Sequence, residues 1–139
     1  EADIWSCPSF TELARDGNAV ARVNLLNPAG KPKRSHVEQC LKDTRGPIIA
    51  STDYIRTFAE QIRPFICNLA RRYTVLGTDG FGRSDTRENL RQFFEVDRHY
   101  VAVAALKALA DEGQMDKARV VEAIAKYGLD PNKPNPLTV

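Results

Sequence analysis

Residues 47–78 decide the fold, and they read PIIASTDYIRTFAEQIRPFICNLARRYTVLGT. Two short apolar segments, Pro47–Thr52 and Tyr73–Thr78, are bounded by turn residues and predict β-strands. The residues between them follow a helical pattern that starts near Asp53, a residue type suited to the N-cap, and Pro64 is expected to kink or end this helix. Strand, helix and strand in this order predict a βαβ unit with parallel strands and a right-handed crossover. The apolar face of the predicted helix comprises Tyr54, Ile55, Phe58, Ile62, Phe65 and Ile66.

A third apolar run, Asp3–Phe10, lies on the N-terminal side of this unit and is also followed by a helical pattern. Its composition predicts another strand. The segment Leu25–Arg34 then forms a loop punctuated by proline and glycine that ends in a basic cluster. This cluster is interpreted as an ordinary solvated loop, with a docking patch for an acidic partner or a phosphate as the alternative.

On the C-terminal side of Thr78 the pattern is helical. Asp85 and Glu88 have the spacing of a capping box, which predicts a helix start. A second helix is predicted over Asp97–Gly113, although the alternation of Val101 and Val103 also allows a strand to start there. A last helix is predicted from Asp116 to Gly128. The proline-rich tail, residues 129–139, cannot propagate a helix and is expected to lie extended over the surface.

Length and composition exclude several classes of protein. The chain has 139 residues, of which 42% are hydrophobic and 27% charged, as in one soluble globular domain spanning residues 1–139. No apolar window approaches the roughly 18 residues of a membrane-spanning helix. Twenty basic and eighteen acidic side chains leave a net charge of +2, too small for a dedicated nucleic-acid binder.

The cysteines and histidines do not form a metal-binding or disulfide pattern. Cys7, Cys40 and Cys67 are separated by 33 and 27 residues, and His36 and His99 are also far apart. Reduced, mostly buried thiols in a cytoplasmic chain are predicted. His99 has no candidate nucleophile nearby in sequence and is interpreted as a structural residue. Four aromatic residues at strand or helix spacing are predicted to lie in the core, namely Trp5, Phe58, Phe93 and Phe94.

The segment Gly77–Ser84 carries the strongest local functional signal. It follows a predicted strand, precedes a predicted helix and reads GTDGFGRS, one residue away from the phosphate-binding pattern GxxxxGK[ST]. Arg83 in place of lysine and the carboxylate of Asp79 both count against phosphate binding.

Two other interpretations of the same segment stand beside phosphate binding. In the first, Gly80 and Gly82 form a turn with positive φ, and Ser84 or Asp85 caps the next helix. In the second, the loop presents Phe81 and Arg83 to another domain or subunit. The candidate interface residues are Asp79, Gly80, Phe81, Gly82, Arg83 and Ser84.

Several longer segments resemble one family, namely the C-terminal domain of the homodimeric, thiamine-diphosphate-dependent pyruvate dehydrogenase component of the bacterial pyruvate dehydrogenase complex. The resemblance covers essentially the whole chain, so it is more specific than any single glycine motif. The segments that carry it are Ile4–Leu13, Ser51–Arg63, Thr74–Arg91, Phe94–Asp97, Tyr100–Leu106 and Asp130–Pro136.

The resemblance implies an α/β fold of the transketolase C-terminal type, with a mixed, mainly parallel five-stranded sheet flanked by helices. In that family a further strand and helix normally precede the segment around Trp5, so the chain is expected to be a domain truncated at its N-terminal side. The implied role is structural and concerns assembly, with the other domains of the parent chain, the homodimer mate and the dihydrolipoyl acetyltransferase core as partners. An autonomous α/β module that binds a phosphate at Gly77–Ser84 is the alternative.

The parent enzyme of this family decarboxylates pyruvate and acetylates lipoyl groups with thiamine diphosphate and Mg²⁺, which supply the chemistry. The family residues that hold this cofactor lie in earlier domains. The cofactor signature, Gly-Asp-Gly followed by a distant asparagine, is not met here, because Thr78 stands where the first glycine is required. The resemblance therefore assigns no catalytic, cofactor-binding or metal-binding residue to this chain, and the isolated chain is expected to be inactive.

Overall fold

A computed structural model describes all residues from Glu1 to Val139. It contains seven helices and two strands. In chain order these are α1 (Phe10–Leu26), α2 (His36–Leu41), β1 (Ile48–Ser51), α3 (Arg56–Glu60), α4 (Arg63–Cys67), β2 (Tyr73–Leu76), α5 (Arg87–Phe93), α6 (Arg98–Asp111) and α7 (Lys117–Lys126).

The two strands form a parallel pair, in which Ile48 lies opposite Tyr73 and Ser51 opposite Leu76. Helices α3 and α4 connect them, so the predicted βαβ unit is confirmed. The α/β class with a parallel sheet is confirmed as well. The sheet has two strands, however, and the five strands implied by the resemblance are not all formed by these residues.

The crossover is two short helices and not one long helix. The N-cap of α3 is Ile55, so the prediction that Asp53 caps this helix is wrong. The break falls at Gln61 and Ile62, and Pro64 lies in the first turn of α4. A proline ring clashes with the carbonyl four residues earlier in a continuous helix, whereas the first turn tolerates proline because its N–H groups have no helical partner there.

Arg63 clamps the break between α3 and α4. Its guanidinium donates to both carboxylate oxygens of Glu60, at 2.5 and 2.7 Å, and to the carbonyl oxygen of Tyr73 at 2.9 Å. It also lies 5.1 Å from the centre of the Tyr73 ring. The Arg63 hydrogen bonds hold the pKa of Glu60 below its usual value. One side chain thus joins the end of α3, the start of α4 and β2.

Arg71 likewise holds together the turn before β1 through several hydrogen bonds. Its guanidinium donates to the carbonyl oxygens of Gly46 at 2.6 Å and Arg45 at 3.0 Å, and to that of Leu41 at 3.3 Å. A further donor reaches the hydroxyl of Thr44. The turn before β1 therefore depends on a residue just before β2.

The N-terminal segment contradicts the sequence-based expectation. Residues 1–9 form neither strand nor helix, so the predicted strand at Asp3–Phe10 is wrong. The Ser9 hydroxyl accepts a hydrogen bond from the Glu12 N–H and caps α1. Trp5 is 57% exposed and does not lie in the core as predicted. The local capping signal is satisfied within the segment, whereas a strand would need a neighbour to pair with.

The C-terminal helices follow the prediction more closely. Asp97 caps α6 and Asp116 caps α7, with positive φ at Gly113 and Gly128 beyond their ends. The alternative strand at Val101 and Val103 is wrong, since both lie in α6.

Helix α5 begins later than predicted. Thr86 is its N-cap, so the capping roles predicted for Ser84 and Asp85 are wrong. Asp85 instead accepts hydrogen bonds from the Thr86 N–H and the Asn89 side chain. Thr86 is one residue closer to the helix, so its hydroxyl oxygen can accept a hydrogen bond from an N–H of the first turn, as an N-cap residue does.

The core lies between the βαβ unit and the first two helices. Ile66 is fully buried, and the Tyr73 hydroxyl donates to the carbonyl oxygen of Ala59 at 2.8 Å. Gly17 is required because an added Cβ would lie 2.3 Å from the Phe65 ring. The buried cluster comprises Ala14, Val37, Ala59, Ile62, Phe65, Ile66, Tyr73 and Val75.

Several residues predicted to be buried are not. Phe58 is 42% exposed, whereas Phe93 and Phe94 are half-buried and meet edge to face at 4.9 Å. All three cysteines are free thiols, but Cys7 and Cys40 are only half-buried and Cys67 is exposed, so the prediction of mostly buried thiols is wrong.

The folded chain exposes more surface than a self-contained domain of its size. Its accessible surface is 9793 Å², whereas a monomeric protein of 15.5 kDa is expected to expose about 7200 Å². Large apolar side chains contribute to this surface, and Ile4, Leu25 and Tyr54 are 97%, 77% and 69% exposed. The chain therefore carries apolar surface that its own residues do not cover.

Replacing Ile66 by alanine tests the position of the core. Because Ile66 is fully buried, Ile66→Ala should lower the free energy of unfolding by about 2–5 kcal/mol. The matched control is Val121→Ala, at a helical position that is 66% exposed, which should change it by less than about 0.5 kcal/mol. Denaturant unfolding of both variants gives the comparison, and equal losses would contradict the assigned core.

The Arg63 clamp predicts a pH effect. Because the pKa of Glu60 is lowered in the folded state, its ionised form stabilises the fold above the ordinary glutamate pKa. This contribution is lost as the pH falls through the folded-state pKa. Glu60→Gln should therefore flatten the acid limb of the stability profile. Glu88→Gln, at an exposed position outside the clamp, is the control. An unchanged acid limb in Glu60→Gln, measured by unfolding across acidic pH, would contradict the clamp.

Candidate functional site

The carboxyl ends of β1 and β2 lie at one edge of the sheet, where open parallel α/β sheets bind ligands. The loop Gly77–Ser84 leaves β2 at this edge. Its first residues are bound to the start of the crossover, because the Thr78 N–H donates to the Tyr54 carbonyl and the Thr78 hydroxyl to the Asp53 carbonyl, both at 2.9 Å. A Cβ added to Gly77 would lie 2.8 Å from the Tyr54 carbonyl oxygen. A glycine is therefore needed there.

The carboxylate of Asp79 binds to Arg56 at the start of the crossover. It accepts hydrogen bonds from the backbone N–H of Arg56 at 3.1 Å and from the Arg56 Nε at 2.9 Å. The Asp79 side chain is 22% exposed. An acidic group of the chain itself therefore occupies the donors that an incoming anion would need.

The second half of the loop does not lead directly into a helix. Helix α5 begins at Arg87, three residues after Ser84, whereas the phosphate-binding pattern places its serine or threonine at the start of the following helix. This arrangement and the Asp79 carboxylate argue against phosphate binding at Gly77–Ser84.

Some of the remaining loop residues contact other parts of the chain, and others are exposed to solvent. Gly80 has a φ of +114°, and a Cβ there would lie 2.5 Å from the carbonyl oxygen of Pro136. Gly82 has open space around it and no positive φ, so the predicted positive-φ conformation is found at Gly80 and is wrong for Gly82. Phe81 is 76% exposed. The Arg83 guanidinium lies 4.4 Å from the centre of the Phe93 ring, which orients it against α5. Of the six predicted residues, Phe81 is thus the large apolar side chain that projects into solvent.

A cavity of about 440 Å³ opens at the same edge, between β2, the loop and the tail. Two cations line it, and each is paired. Arg56 binds Asp79 at 2.9 Å and Lys133 binds Glu95 at 3.2 Å. Burial raises the pKa of Tyr100, with the neighbouring Glu95 carboxylate acting in the same direction. The charged and phenolic lining residues are Arg56, Asp79, Glu95, Tyr100, Asp130 and Lys133.

Sequence reasoning missed the tail and α5 contributions to this cavity. The available signal was a single lysine, Lys133, among three prolines in the tail. Glu95 gave no signal, because its role depends on a positive φ of 62° that only the structure reveals.

The other candidate residues lie outside this site. His99 stacks on Tyr127 with ring centres 4.9 Å apart, and its Nδ1 lies 3.7 Å from the Asp97 carboxylate. Cys40 Sγ lies 3.4 Å from His36 Nε2, one turn away on α2. No group of three or more His, Cys, Asp or Glu side chains is arranged to hold a metal ion. No helix is long and apolar enough to cross a membrane.

The basic cluster of the predicted loop Leu25–Arg34 lies between α1 and α2, whereas Leu25 and Leu26 belong to α1, so the loop begins later than predicted. The Asn24 side chain accepts from the Lys33 N–H at 2.8 Å and donates to the Lys33 carbonyl at 2.9 Å. These bonds fix the loop backbone, and residues 27–34 are exposed.

Comparison with known proteins gives consistent results. The family model described as "Transketolase-like TK C-terminal domain" matches residues 1–97. Three relatives, all named "Pyruvate dehydrogenase E1 component", match nearly the whole chain. Those of Cupriavidus necator, Pseudomonas aeruginosa and Escherichia coli K12 are 68%, 62% and 53% identical over 139, 136 and 135 residues, respectively. These alignments cover 100%, 98% and 97% of this chain.

The alignment covers only 15% of each of these relatives, so the chain corresponds to a small part of their length. The matched residues 1–97 include both strands, the crossover and the whole Gly77–Ser84 loop. The fold, the family match and the relatives agree with the resemblance seen in the sequence. The chain belongs to the family of transketolase-like C-terminal domains.

Proposed function

We propose that this chain is the C-terminal structural and assembly domain of a pyruvate dehydrogenase. The observation that carries the proposal is the 68% identity over all 139 residues to a pyruvate dehydrogenase E1 component. In this proposal residues 1–139 form a domain truncated at its N-terminal side, with residues 129–139 as its extended tail. The parent enzyme acts in the cytoplasm, decarboxylates pyruvate and acetylates the lipoyl groups of the dihydrolipoyl acetyltransferase core.

The surface of the chain supports an assembly role. The chain exposes about 2600 Å² more than a self-contained monomer of its mass would. A standard interface buries about 800 Å² on each partner, so this excess is about three times that area and corresponds to the large interfaces of obligate assemblies. The partners in the proposal are the other domains of the parent chain and the homodimer mate. Phe81 is the proposed anchor because exposed aromatic side chains are frequent at the centres of interfaces.

The residues of the Gly77–Ser84 loop do not fit thiamine diphosphate and Mg²⁺. A diphosphate–magnesium site needs free carboxylate and amide oxygens, whereas Asp79, the acidic residue of the Gly77–Ser84 loop, is bound to Arg56. In the proposal the cofactor therefore belongs to other domains of the parent enzyme, and this chain contributes no catalytic residue.

A titration tests this assignment of the cofactor. The isolated chain should neither bind thiamine diphosphate in the presence of Mg²⁺ nor decarboxylate pyruvate. Isothermal titration calorimetry measures the first property and carbon dioxide release the second, with the full-length enzyme as the positive control. Micromolar binding by the isolated chain would contradict the proposal.

The interface role of the loop has its own test in the full-length enzyme. If Phe81 is buried as an interface anchor, Phe81→Ala should weaken assembly by about 2–4 kcal/mol. Arg83→Lys should also weaken it if the guanidinium makes a forked contact, since an ammonium cannot replace that geometry. Analytical ultracentrifugation measures both effects. Val121→Ala, which removes an exposed apolar side chain from α7, is the control.

The phosphate-binding alternative predicts a different result for the same variants. Arg83→Lys would then create or strengthen ATP binding and leave the dimer unchanged, because lysine completes the GxxxxGK[ST] pattern. An ATP-binding assay run in parallel separates the two functions. Unchanged assembly in both loop variants would remove the interface role from the Gly77–Ser84 loop.

A further inference from the structure

Helix α5 ends in a motif that normally requires glycine. The Val96 N–H donates to the Arg91 carbonyl at 2.9 Å and the Glu95 N–H to the Gln92 carbonyl at 3.3 Å. This is the hydrogen-bond pattern of a Schellman motif, whose C′ residue adopts the left-handed conformation. Glu95 occupies that position with a φ of 62°. Glycine would adopt this conformation without strain, so the carboxylate of Glu95 calls for an explanation.

The Lys133 ammonium lies directly over this helix end. It donates to the carbonyl oxygens of Phe93 at 2.5 Å and Gln92 at 3.2 Å, and to the Glu95 carboxylate at 3.2 Å. Its nitrogen is 5.4 Å from the centre of the Phe93 ring and 5.6 Å from that of Tyr100. An ammonium has three N–H donors, and here each has an acceptor. Two aromatic rings lie within the range of cation–π attraction.

We propose that Gln92, Phe93, Glu95 and Tyr100 form a binding site for a primary ammonium, that Lys133 is its internal ligand, and that its occupation by the tail fixes the Gly77–Ser84 loop. We call these four residues the ammonium cage. The two carbonyl groups belong to the last turn of α5, which attracts a cation, and the Gln92 carbonyl also accepts the Glu95 N–H. The carboxylate of Glu95 supplies the opposite charge, which glycine at the same position cannot.

The tail depends on this anchor because it has few other means of attachment. Residues 129–139 form no helix or strand, and Pro131, Pro134 and Pro136 have no N–H to donate. The Lys133 side chain is only 22% exposed, and within this largely exposed segment Pro136 is the other residue that the fold covers well. The ammonium cage therefore fixes which residue of the tail lies against the end of α5.

The tail in turn contacts the loop at two places. The Pro136 carbonyl lies against Gly80, closely enough that an added Cβ would be 2.5 Å away. Phe93, whose ring contacts Lys133, also contacts Arg83 at 4.4 Å. Loss of the ammonium from the cage would release both the backbone contact and the shared aromatic contact. The inference concerns contacts within the chain and does not depend on the proposed assembly role.

The first test measures hydrogen exchange of the loop amides in the full-length enzyme, with each variant compared to wild type in the same assembly state. Lys133→Met retains the length of the side chain and removes the charge. It should accelerate exchange at residues 80–83 by about tenfold or more, as expected for a segment that opens locally. Lys126→Met, which removes a charge from the exposed end of α7, should leave loop exchange unchanged. Equal exchange in the two variants would overturn the proposal.

A second variant separates charge from backbone strain. Glu95→Gly suits the positive φ better than glutamate but removes the carboxylate from the ammonium cage. The proposal expects faster loop exchange in Glu95→Gly despite its relaxed backbone. Unchanged or slower exchange would show that the carboxylate is not needed to hold Lys133, and would overturn the proposal.

A third experiment tests the ligand class directly. The full-length enzyme shortened to end at Leu129 should show fast loop exchange, and a synthetic peptide of residues 130–139 should restore protection. The same peptide with norleucine at position 133 should not. Equal protection by both peptides would show that the ammonium is not recognised.

Discussion

The parallel pairing of Ile48–Ser51 with Tyr73–Leu76 is the constraint on which the rest of the structure depends. It requires a crossover that returns the chain to the end of the sheet at which β1 begins, so α3 and α4 must pack on the sheet and bury Ile66. It also brings Asp53 and Asp79, each following one of the strands, to the same edge. Asp79 then binds Arg56 and Asp53 binds Arg91, at 2.9 and 2.8 Å. The packing of the crossover and of α5 thus follows from one pairing.

Sequence reasoning found the elements whose signals are local. The βαβ unit follows from its apolar segments and turn residues, and the ends of α6 and α7 follow from Gly113 and Gly128. Both helices are also predicted to begin at the residues that the structure shows as their N-caps, Asp97 and Asp116. It failed at Asp3–Phe10, where an apolar run resembles a strand but has no strand beside it in the folded chain. It also placed the start of α5 too early, because Ser84, Asp85 and Thr86 are all acceptable caps and only their geometry decides among them.

In the candidate site, too, sequence reasoning identified the local features but not the distant contacts. The Gly77–Ser84 segment could be identified from its glycines, and the need for glycine at Gly77 and Gly80 has a steric cause in the structure. The partners of the loop could not be identified, because Arg56 and Pro136 are 23 and 56 residues away from Asp79 and Gly80, respectively. No periodicity relates residues at such separations. The exposed apolar side chains support the proposed assembly role, and this chain spans only 15% of the length of its relatives.

The brevity of the crossover helices has a consequence for folding. Helices α3 and α4 have five residues each, too few to be stable alone in water. The strands that they connect pair residues 25 positions apart, from Ile48 to Tyr73, so neither strand can form a hairpin with a close neighbour. Closing a segment of this length costs conformational entropy before any of its contacts form. The crossover and the sheet must therefore become ordered together, which makes residues 48–76 a single cooperative unit during synthesis of the chain.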